Sequence, residues 1–355
     1  MNKYSVFTNF FTITPSKRSW HIPFLAGLAV GIPLIIGYFF GNIKPTLVGS
    51  LAGLTILYTP NNKNRIETMT EMFVLSFGMI FSYILGIILS FNDFWGSIGF
   101  GVFSIIAYYI VKYYSLRPPG SFFFIMIASM AIALPHPIEK IPFQIGIFTL
   151  GTFNVCFLVL LYTFFIRRKD ISKEIKISTT INHYTNFKEA LIIGIAMALS
   201  IATGKFFKLE YPYWIPISCL AVLQGVNVGH IWQRGIHRVL GTLIGLGIAW
   251  IIFSYITTPL GICLSIIILQ IIVELLITRH YGLAVIFLTP MGILLAETGS
   301  PISLEPNHLI IMRLMEIIIG SLLGAICGWF LYNEKVHQKT IKHLNKSRKI
   351  LKIKR

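Results

Sequence analysis

The residues of this chain whose types could do chemistry are arginines in apolar surroundings. Arg234 and Arg238 follow an apolar run that begins at Trp214, and Arg313 lies inside the last apolar run. Arginine is costly to place beside hydrocarbon, and its planar guanidinium forms paired hydrogen bonds with a carboxylate. We therefore expect Arg238 and Arg313 to contact an organic anion. The alternative is that Arg234 and Arg238 are ordinary cytoplasmic anchors.

Two acidic residues in apolar runs are candidates for proton transfer. Glu316 follows Arg313 by three residues, and Glu274 follows Gln270 by one helical turn. Carboxylates inside a membrane commonly relay protons or pair with a cation. Glu274 and Glu316 are therefore predicted proton-coupling residues. A local ion pair with Arg313 is the other interpretation of Glu316.

Membrane helices are the elements that must position these side chains. The 355 residues are 55% hydrophobic and only 12% charged, which is too apolar for a soluble protein of this length. The apolar runs lack the alternation of barrel strands, so they predict an all-α polytopic membrane protein of about twelve transmembrane helices. Six runs lie in residues 1–166 and six in 189–332. A basic linker, 167–188, joins the halves, and a basic tail, 333–355, follows them.

The basic residues predict the orientation of the chain. The net charge is +17, and most of the 30 Lys and Arg residues lie in the termini and in alternate loops. The opposite side holds only Lys44, Lys140, Lys205 and Lys208. Basic loops face the cytoplasm, so both termini are predicted there. Anionic lipid is the expected partner of the basic segments, and nucleic acid is not.

An internal repeat relates the two halves at an offset of about 162 to 169 residues. Each half has an even number of spans, so the two six-helix repeats are predicted to be parallel. The glycines that carry the match form five pairs: Gly27 with Gly194, Gly37 with Gly204, Gly78 with Gly245, Gly120 with Gly282, and Gly151 with Gly320.

Four apolar runs at matched places in the two halves are too short to cross a membrane comfortably. They are 45–58 and 121–134 in the first half, and 214–226 and 283–296 in the second. Short or interrupted helices in equivalent places indicate a transport site. The alternative is hydrophobic mismatch between these helices and the bilayer.

Opposite charges occupy equivalent positions of the repeat. Glu71 corresponds to Arg238, and Lys112 corresponds to Glu274. These correspondences predict two ion pairs across the repeat axis, Glu71 with Arg238 and Lys112 with Glu274, that close the cytoplasmic side. In the alternative interpretation, each residue contacts lipid headgroups or water separately.

The second half resembles a known family. Its motifs are W-x-P, then R-x-x-x-R-x-x-G-T-x-x-G over 234–245, and R-x-x-E-x-x-x-G over 313–320. They are similar to the signature of the fusaric acid resistance and aromatic acid exporter family, which is distantly similar to the aluminium-activated malate transporters. The resemblance is clearest over residues 188–332. Many members carry a large soluble domain between the halves, where this chain has only 167–188.

The resemblance implies a bacterial inner-membrane exporter of organic, aromatic anions. It adds Gln224, Arg234 and Thr242 to Arg238 and Arg313 in the substrate site. It also implies a possible homodimer or periplasmic adaptor subunit as partner. The neighbouring aromatics, Tyr211, Tyr213 and Trp214, are instead expected to be anchors at the level of the lipid headgroups.

No motif in the sequence supports catalysis or a cofactor. A phosphate-binding glycine loop and zinc-ligand spacings are absent from the sequence, and the four cysteines lie singly in apolar runs. The protein is therefore predicted not to be an enzyme. Transport is expected to be driven by protons through alternating access, with a cationic substrate site between the two repeats. Two alternatives are a passive organic-anion channel and a non-transporting envelope component.

Overall fold

Twelve helices make up the part of the chain that the structure, a computed structural model, describes: residues 15, 18–60, 64–165, 183–256, 258–297 and 306–332. No strand occurs within these ranges. The predicted tail, 333–355, and most of the predicted linker, 167–188, lie outside them. The helices are α1 (His21–Phe39), α2 (Thr46–Ala52, continued by a 3-10 turn, Gly53–Tyr58), α3 (Arg65–Ser90), α4 (Asp93–Tyr113), α5 (Phe122–Ala133), α6 (Ile141–Phe165), α7 (His183–Phe206), α8 (Trp214–Leu223), α9 (Val228–Tyr255), α10 (Pro259–Ile277), α11 (Tyr281–Glu297) and α12 (Pro306–Tyr332).

Eight of these helices are long and apolar enough to cross a membrane. They are α1, α3, α4, α6, α7, α9, α10 and α12. The other four, α2, α5, α8 and α11, are shorter and coincide with the four runs predicted to be short. The all-α, polytopic prediction is thereby confirmed, while the placement of all twelve helices across a bilayer stays a prediction.

The short helix α8 lies in the interior of the molecule. Every residue from Trp214 to Leu223 is buried. At a rise of about 1.5 Å per residue, ten residues span only about 15 Å, half of a hydrocarbon core. Helix ends expose backbone groups that lipid cannot satisfy, so burial within protein is what permits so short a helix. This burial favours an interrupted helix over a mismatch with lipid at α8.

Polar caps explain where the long helices begin. Asn64, Asn92 and Asn227 each accept a hydrogen bond from a backbone N–H in the first turn of the helix that follows, and Thr258 does so for α10. Asn and Thr are favoured at this position because they satisfy otherwise unpaired donors. The caps stand at equivalent places in the two halves, before α3 and α9 and before α4 and α10.

One segment expected to be a loop is helical. The two arginines between the apolar runs 214–226 and 239–256 predict a cytoplasmic turn over 227–238, but α9 begins at Val228. The prediction is wrong because His230, Arg234 and Arg238 recur every four residues, which is a helical spacing. Their side chains share one face of α9 and do not form a loop.

The helices pack in the same pattern in both halves. In the first half α1 packs on α2, α2 on α6, α3 on α5 and α3 on α6. The second half repeats these contacts with α7 on α8, α8 on α12, α9 on α11 and α9 on α12. Between the halves, α1 packs on α10 and α4 packs on α7. The two contacts are equivalent, because α7 of the second half corresponds to α1 and α10 corresponds to α4. We call the interface of α1 with α10 the first seam and that of α4 with α7 the second seam.

Four of the five glycine pairs of the predicted repeat make equivalent contacts, while Gly120 and Gly282 have different neighbours. A Cβ added at Gly27 would come within 2.6 Å of Ile271 in the first seam, and a Cβ at Gly194 would meet Ile105 in the second. Gly78 lies against Phe124 of α5, and Gly245 lies against α11. These contacts support the internal repeat, because unrelated glycines would not choose matching partners in both halves.

Candidate functional site

The face of α9 that carries Arg238 packs on the short helix α8. Arg238 is 3% exposed, about ten residues or 15 Å into the helix from its start. Its Nε donates to Ser218 Oγ at 3.4 Å, and Ser218 is fully buried in the middle of α8. Among the described residues no carboxylate forms a salt bridge with Arg238. A buried guanidinium is therefore held mainly by a neutral hydroxyl.

Arg234 lies one turn nearer the start of α9 and contacts the C-terminal end of α8. Its Nε donates to the carbonyl oxygen of Ala221 at 2.8 Å, and Nη2 lies 3.4 Å from Gln224 Oε1. The guanidinium also stacks over the ring of Tyr281, with 4.0 Å between Cζ and the ring centroid. The structure thus brings together two of the predicted site residues, Arg234 and Gln224.

One turn further along α9, Thr242 faces α11. Thr242 is fully buried, and its Oγ1 accepts from Thr289 Oγ1 at 3.5 Å. Arg234, Arg238 and Thr242 therefore form a polar line along one face of α9. This line runs beside α8 and continues onto α11.

At the other end of α8, Arg313 of α12 stacks on Trp214. The Arg313 Cζ lies 3.0 Å from the centroid of the indole, and both side chains are buried. Gly292 of α11 lies against the same pair: an added Cβ would be 2.8 Å from Trp214 Cη2 and 3.3 Å from Arg313 Nη2. A cation over an indole face is a favourable contact when it is desolvated.

This stack corrects the expectation for the neighbouring aromatics. Tyr213 and Trp214 were predicted to be headgroup anchors, but Tyr213 is fully buried and Trp214 is 7% exposed. The prediction is wrong because α8 lies inside the bundle and does not end at the lipid surface. Within the described part of the chain, the buried Nε1 of Trp214 has no hydrogen-bond partner.

Glu316 lies one turn beyond Arg313 and is also fully buried. Its Oε1 accepts from the backbone N–H of Tyr211 at 3.1 Å, in the segment just before α8. Glu316 and Arg313 are thus both placed at the N-terminal end of α8. A buried carboxylate and a buried guanidinium therefore lie at the same end of α8.

Glu274, the second predicted proton-coupling residue, lies apart from this group. It is in α10 at the first seam, where its Oε2 is 2.5 Å from Arg18 Nη1. The predicted pair of Lys112 with Glu274 is therefore wrong, and Lys112 instead contacts Glu189 at 3.1 Å. Lys112 meets a residue of α7, and Glu274 meets a residue just before α1, so both contacts lie across a seam and not across the repeat axis.

The second predicted pair is wrong as well. Glu71 is exposed on α3, whereas Arg238 is buried and contacts Ser218. The helices that carry them belong to different halves, and α9 packs on α8, α11 and α12. Equivalent positions of the repeat therefore do not meet here.

The site is a line of polar side chains inside the second half, bounded by α8, α9, α11 and α12, and not between the two repeats as predicted. It has the half-buried Arg234 at one end, the buried Arg313 stacked on Trp214 at the other, and the buried Arg238 between them. Ser218, Thr289 and Gly292 belong to it but were not predicted. The signal for Ser218 lay in its position four residues after Trp214, on the same face of the short helix.

The comparisons with known proteins concern this same half. Residues 195–330 match the model of a family described as fusaric acid resistance protein-like. The match supports the resemblance read from the arginine motifs, since both motifs lie within it. It covers less than half of the chain, and the first half is not included.

One curated relative is the Bacillus subtilis (strain 168) protein described as uncharacterized membrane protein YvaC. It is 33% identical over 137 residues, which are 39% of this chain and 22% of the relative. The matched part of the chain therefore spans about a fifth of that protein. No solved structure matches the chain.

Proposed function

We propose that this membrane protein exports organic anions through the polar line beside α8. The observation that carries the proposal is Arg238, which is 3% exposed and forms no salt bridge with a carboxylate among the described residues. Burying a cation without a counter-charge costs several kcal/mol. A bound anion would supply that charge, with its carboxylate on the guanidinium in a paired contact.

The neighbouring groups suit an anion with an aromatic ring. Trp214 and Tyr281 already lie against guanidinium groups, so flat apolar surface and positive charge are adjacent at both ends of α8. Thr242 and Thr289 offer hydroxyls between the arginines. We assign the main contacts with the anion to Arg238 and Arg313, and supporting contacts with it to Gln224, Arg234 and Thr242.

The proposed energy source is the proton gradient, because the sequence has no nucleotide-binding motif. Glu316 is the proposed proton acceptor at the site, close to Arg313. In the neutral form Glu316 would leave the positive charge at this end of α8 available to the anion, and in the ionised form it would compete with the anion. Glu274 is the proposed second acceptor, since a proton there would weaken its contact with Arg18.

Alternating access between the two halves is the proposed movement. The halves are joined by matching seams, and the short helices lie between them. Both features are expected of a transporter that rocks one repeat against the other. The site itself lies within one half, so the movement would open and close its two ends.

Transport in reconstituted vesicles tests the proposal. Purified protein in proteoliposomes should move hydroxybenzoates against their concentration gradient when a pH gradient is imposed. Downhill movement alone would indicate a passive channel, and no movement over a panel of hydroxybenzoates and dicarboxylates would indicate a non-transporting component.

Glu316→Gln is the variant that tests the coupling. It preserves the size of the side chain and one acceptor oxygen for the Tyr211 N–H. We expect downhill exchange of anion to continue and uphill accumulation to fall at least about tenfold, because the proton site is removed. Accumulation equal to that of the parent protein would exclude Glu316 from coupling.

The proposed location is the bacterial inner membrane with both termini in the cytoplasm. Anionic lipid would surround the basic segments, and a homodimer or a periplasmic adaptor subunit is the proposed protein partner. A reporter fused after Lys176 or Arg355 should be cytoplasmic, and one at Asn92 or Ser300 periplasmic. A periplasmic reporter at Arg355 would contradict this topology.

A further inference from the structure

Each seam between the halves carries an ion pair at the same end. In the first seam, Arg18, just before α1, contacts Glu274 near the end of α10. In the second seam, Glu189, near the start of α7, contacts Lys112 near the end of α4. In both seams the pair joins a helix start in one half to a helix end in the other.

A third polar residue supports each carboxylate. Tyr108 donates its hydroxyl to Glu189 Oε2 at 2.9 Å, and Gln270 donates its amide to Glu274 Oε1 at 3.3 Å. Tyr108 and Lys112 lie four residues apart on α4, as Gln270 and Glu274 do on α10. The two clusters are therefore equivalent in position, one in each seam.

The polarity of the two clusters is reversed. The first half contributes both cations, Arg18 and Lys112, and the second half contributes both carboxylates, Glu189 and Glu274. Pairing of two first halves from different copies would bring Arg18 against Lys112 twice. Pairing of two second halves would bring Glu189 against Glu274 twice. Like charges held together in this way oppose association.

We propose that this charge arrangement determines which halves pair. The seam surface of a first half is recognised by the seam surface of a second half and rejects a copy of itself. The two halves share the same helix packing and glycine contacts, so shape alone discriminates poorly between like and unlike halves. Reversed charge at equivalent positions distinguishes unlike halves from like halves. This charge-based pairing is independent of the proposed transport activity.

Exchanging the charges of one seam tests this inference on the full chain. The double variant Arg18→Glu with Glu274→Arg keeps an attractive pair in the first seam. It also makes like halves of two copies complementary to each other. Glu at position 18 of one copy would face Lys112 of the other, and Arg at position 274 would face Glu189. We expect native mass spectrometry in mild detergent to show a larger assembly that the parent protein lacks.

Exchanging both seams should abolish that larger assembly. With Lys112→Glu and Glu189→Lys added, like halves again carry like charges and unlike halves attract. A matched control exchanges Asp93 and Lys205, which are 2.9 Å apart at the other end of the second seam. That pair has no ionic counterpart in the first seam, so its exchange should leave the assembly unchanged.

The single variants show whether the residues pair at all. Arg18→Glu alone should raise the unfolded fraction at least about tenfold, and adding Glu274→Arg should recover most of the loss, as expected of coupled neighbours. The same distribution of assemblies in the parent, the one-seam exchange and the two-seam exchange would overturn the inference, provided that the one-seam variant is folded. A larger assembly in the Asp93 and Lys205 control would overturn it as well.

Discussion

Replacement of Arg238 by methionine is expected to lower organic-anion transport about a hundredfold and to leave the protein as stable as the parent or more stable. Arg238 is buried on α9, and its Nε contacts only the Ser218 hydroxyl at a long 3.4 Å. Removing one partner of a desolvated ionic contact costs about 2–5 kcal/mol, so transport at low substrate concentration should fall about a hundredfold.

The stability of this variant should change in the opposite direction. Replacing buried charge by an apolar side chain of similar volume is often neutral, or stabilising by about 1–4 kcal/mol. Thermal unfolding of detergent-solubilised protein without substrate measures this effect. Arg238→Lys retains the charge but not the planar fork, and we expect it to lose most transport as well.

Arg117→Met is the matched control, because Arg117 is an exposed arginine of the first half. Its transport should stay within about twofold of the parent, as for most surface substitutions. Unimpaired transport by the Arg238→Met protein would remove the central residue from the proposed site. A strongly destabilised Arg238→Met protein would show that Arg238 has an internal partner and leaves no charge for a substrate.

The second large effect is expected from Gly292→Val. An added Cβ at this position of α11 lies 2.8 Å from the indole of Trp214 and 3.3 Å from the Arg313 guanidinium. The branched side chain must therefore displace the stack. We expect transport to fall at least about tenfold and stability by about 1–3 kcal/mol, the usual cost of overpacking.

Gly247→Val provides the comparison for Gly292→Val. Gly247 is an exposed helical glycine of α9, and no atom lies within 4 Å of an added Cβ there. Its transport should stay within about twofold of the parent. Equal losses in the two variants would mean that the effect comes from helical glycine in general and not from the stack of Arg313 on Trp214.

The sequence predicts the helices well because each membrane span is a continuous run of apolar residues. The four short helices could be predicted from the length of the apolar runs, and the two halves from the glycines that recur at one offset. The helical phase of Arg234, Arg238 and Thr242 was also visible, but basic residues between two apolar runs suggested a loop. Asn227, a good helix cap, was the local signal that would have corrected this.

The contacts of the charged residues could not be predicted from local pattern. Arg18 and Glu274 are 256 residues apart, and their contact depends on α1 packing against α10. The repeat correctly identified Lys112 and Glu274 as equivalent positions. Equivalence around an axis does not require contact, however, and the packing of adjacent helices gave each residue a different partner.

The shortness of α8 has an electrostatic consequence. The aligned peptide dipoles of a helix place about half a positive charge at its N-terminus and half a negative charge at its C-terminus. At the C-terminal end of α8, Arg234 donates to the Ala221 carbonyl and compensates the negative pole. The positive pole, at Trp214, lies beside Arg313. Because every residue of α8 is buried, this dipole is screened less than that of a helix in water, and its positive pole adds to the charge of Arg313 at the Trp214 end.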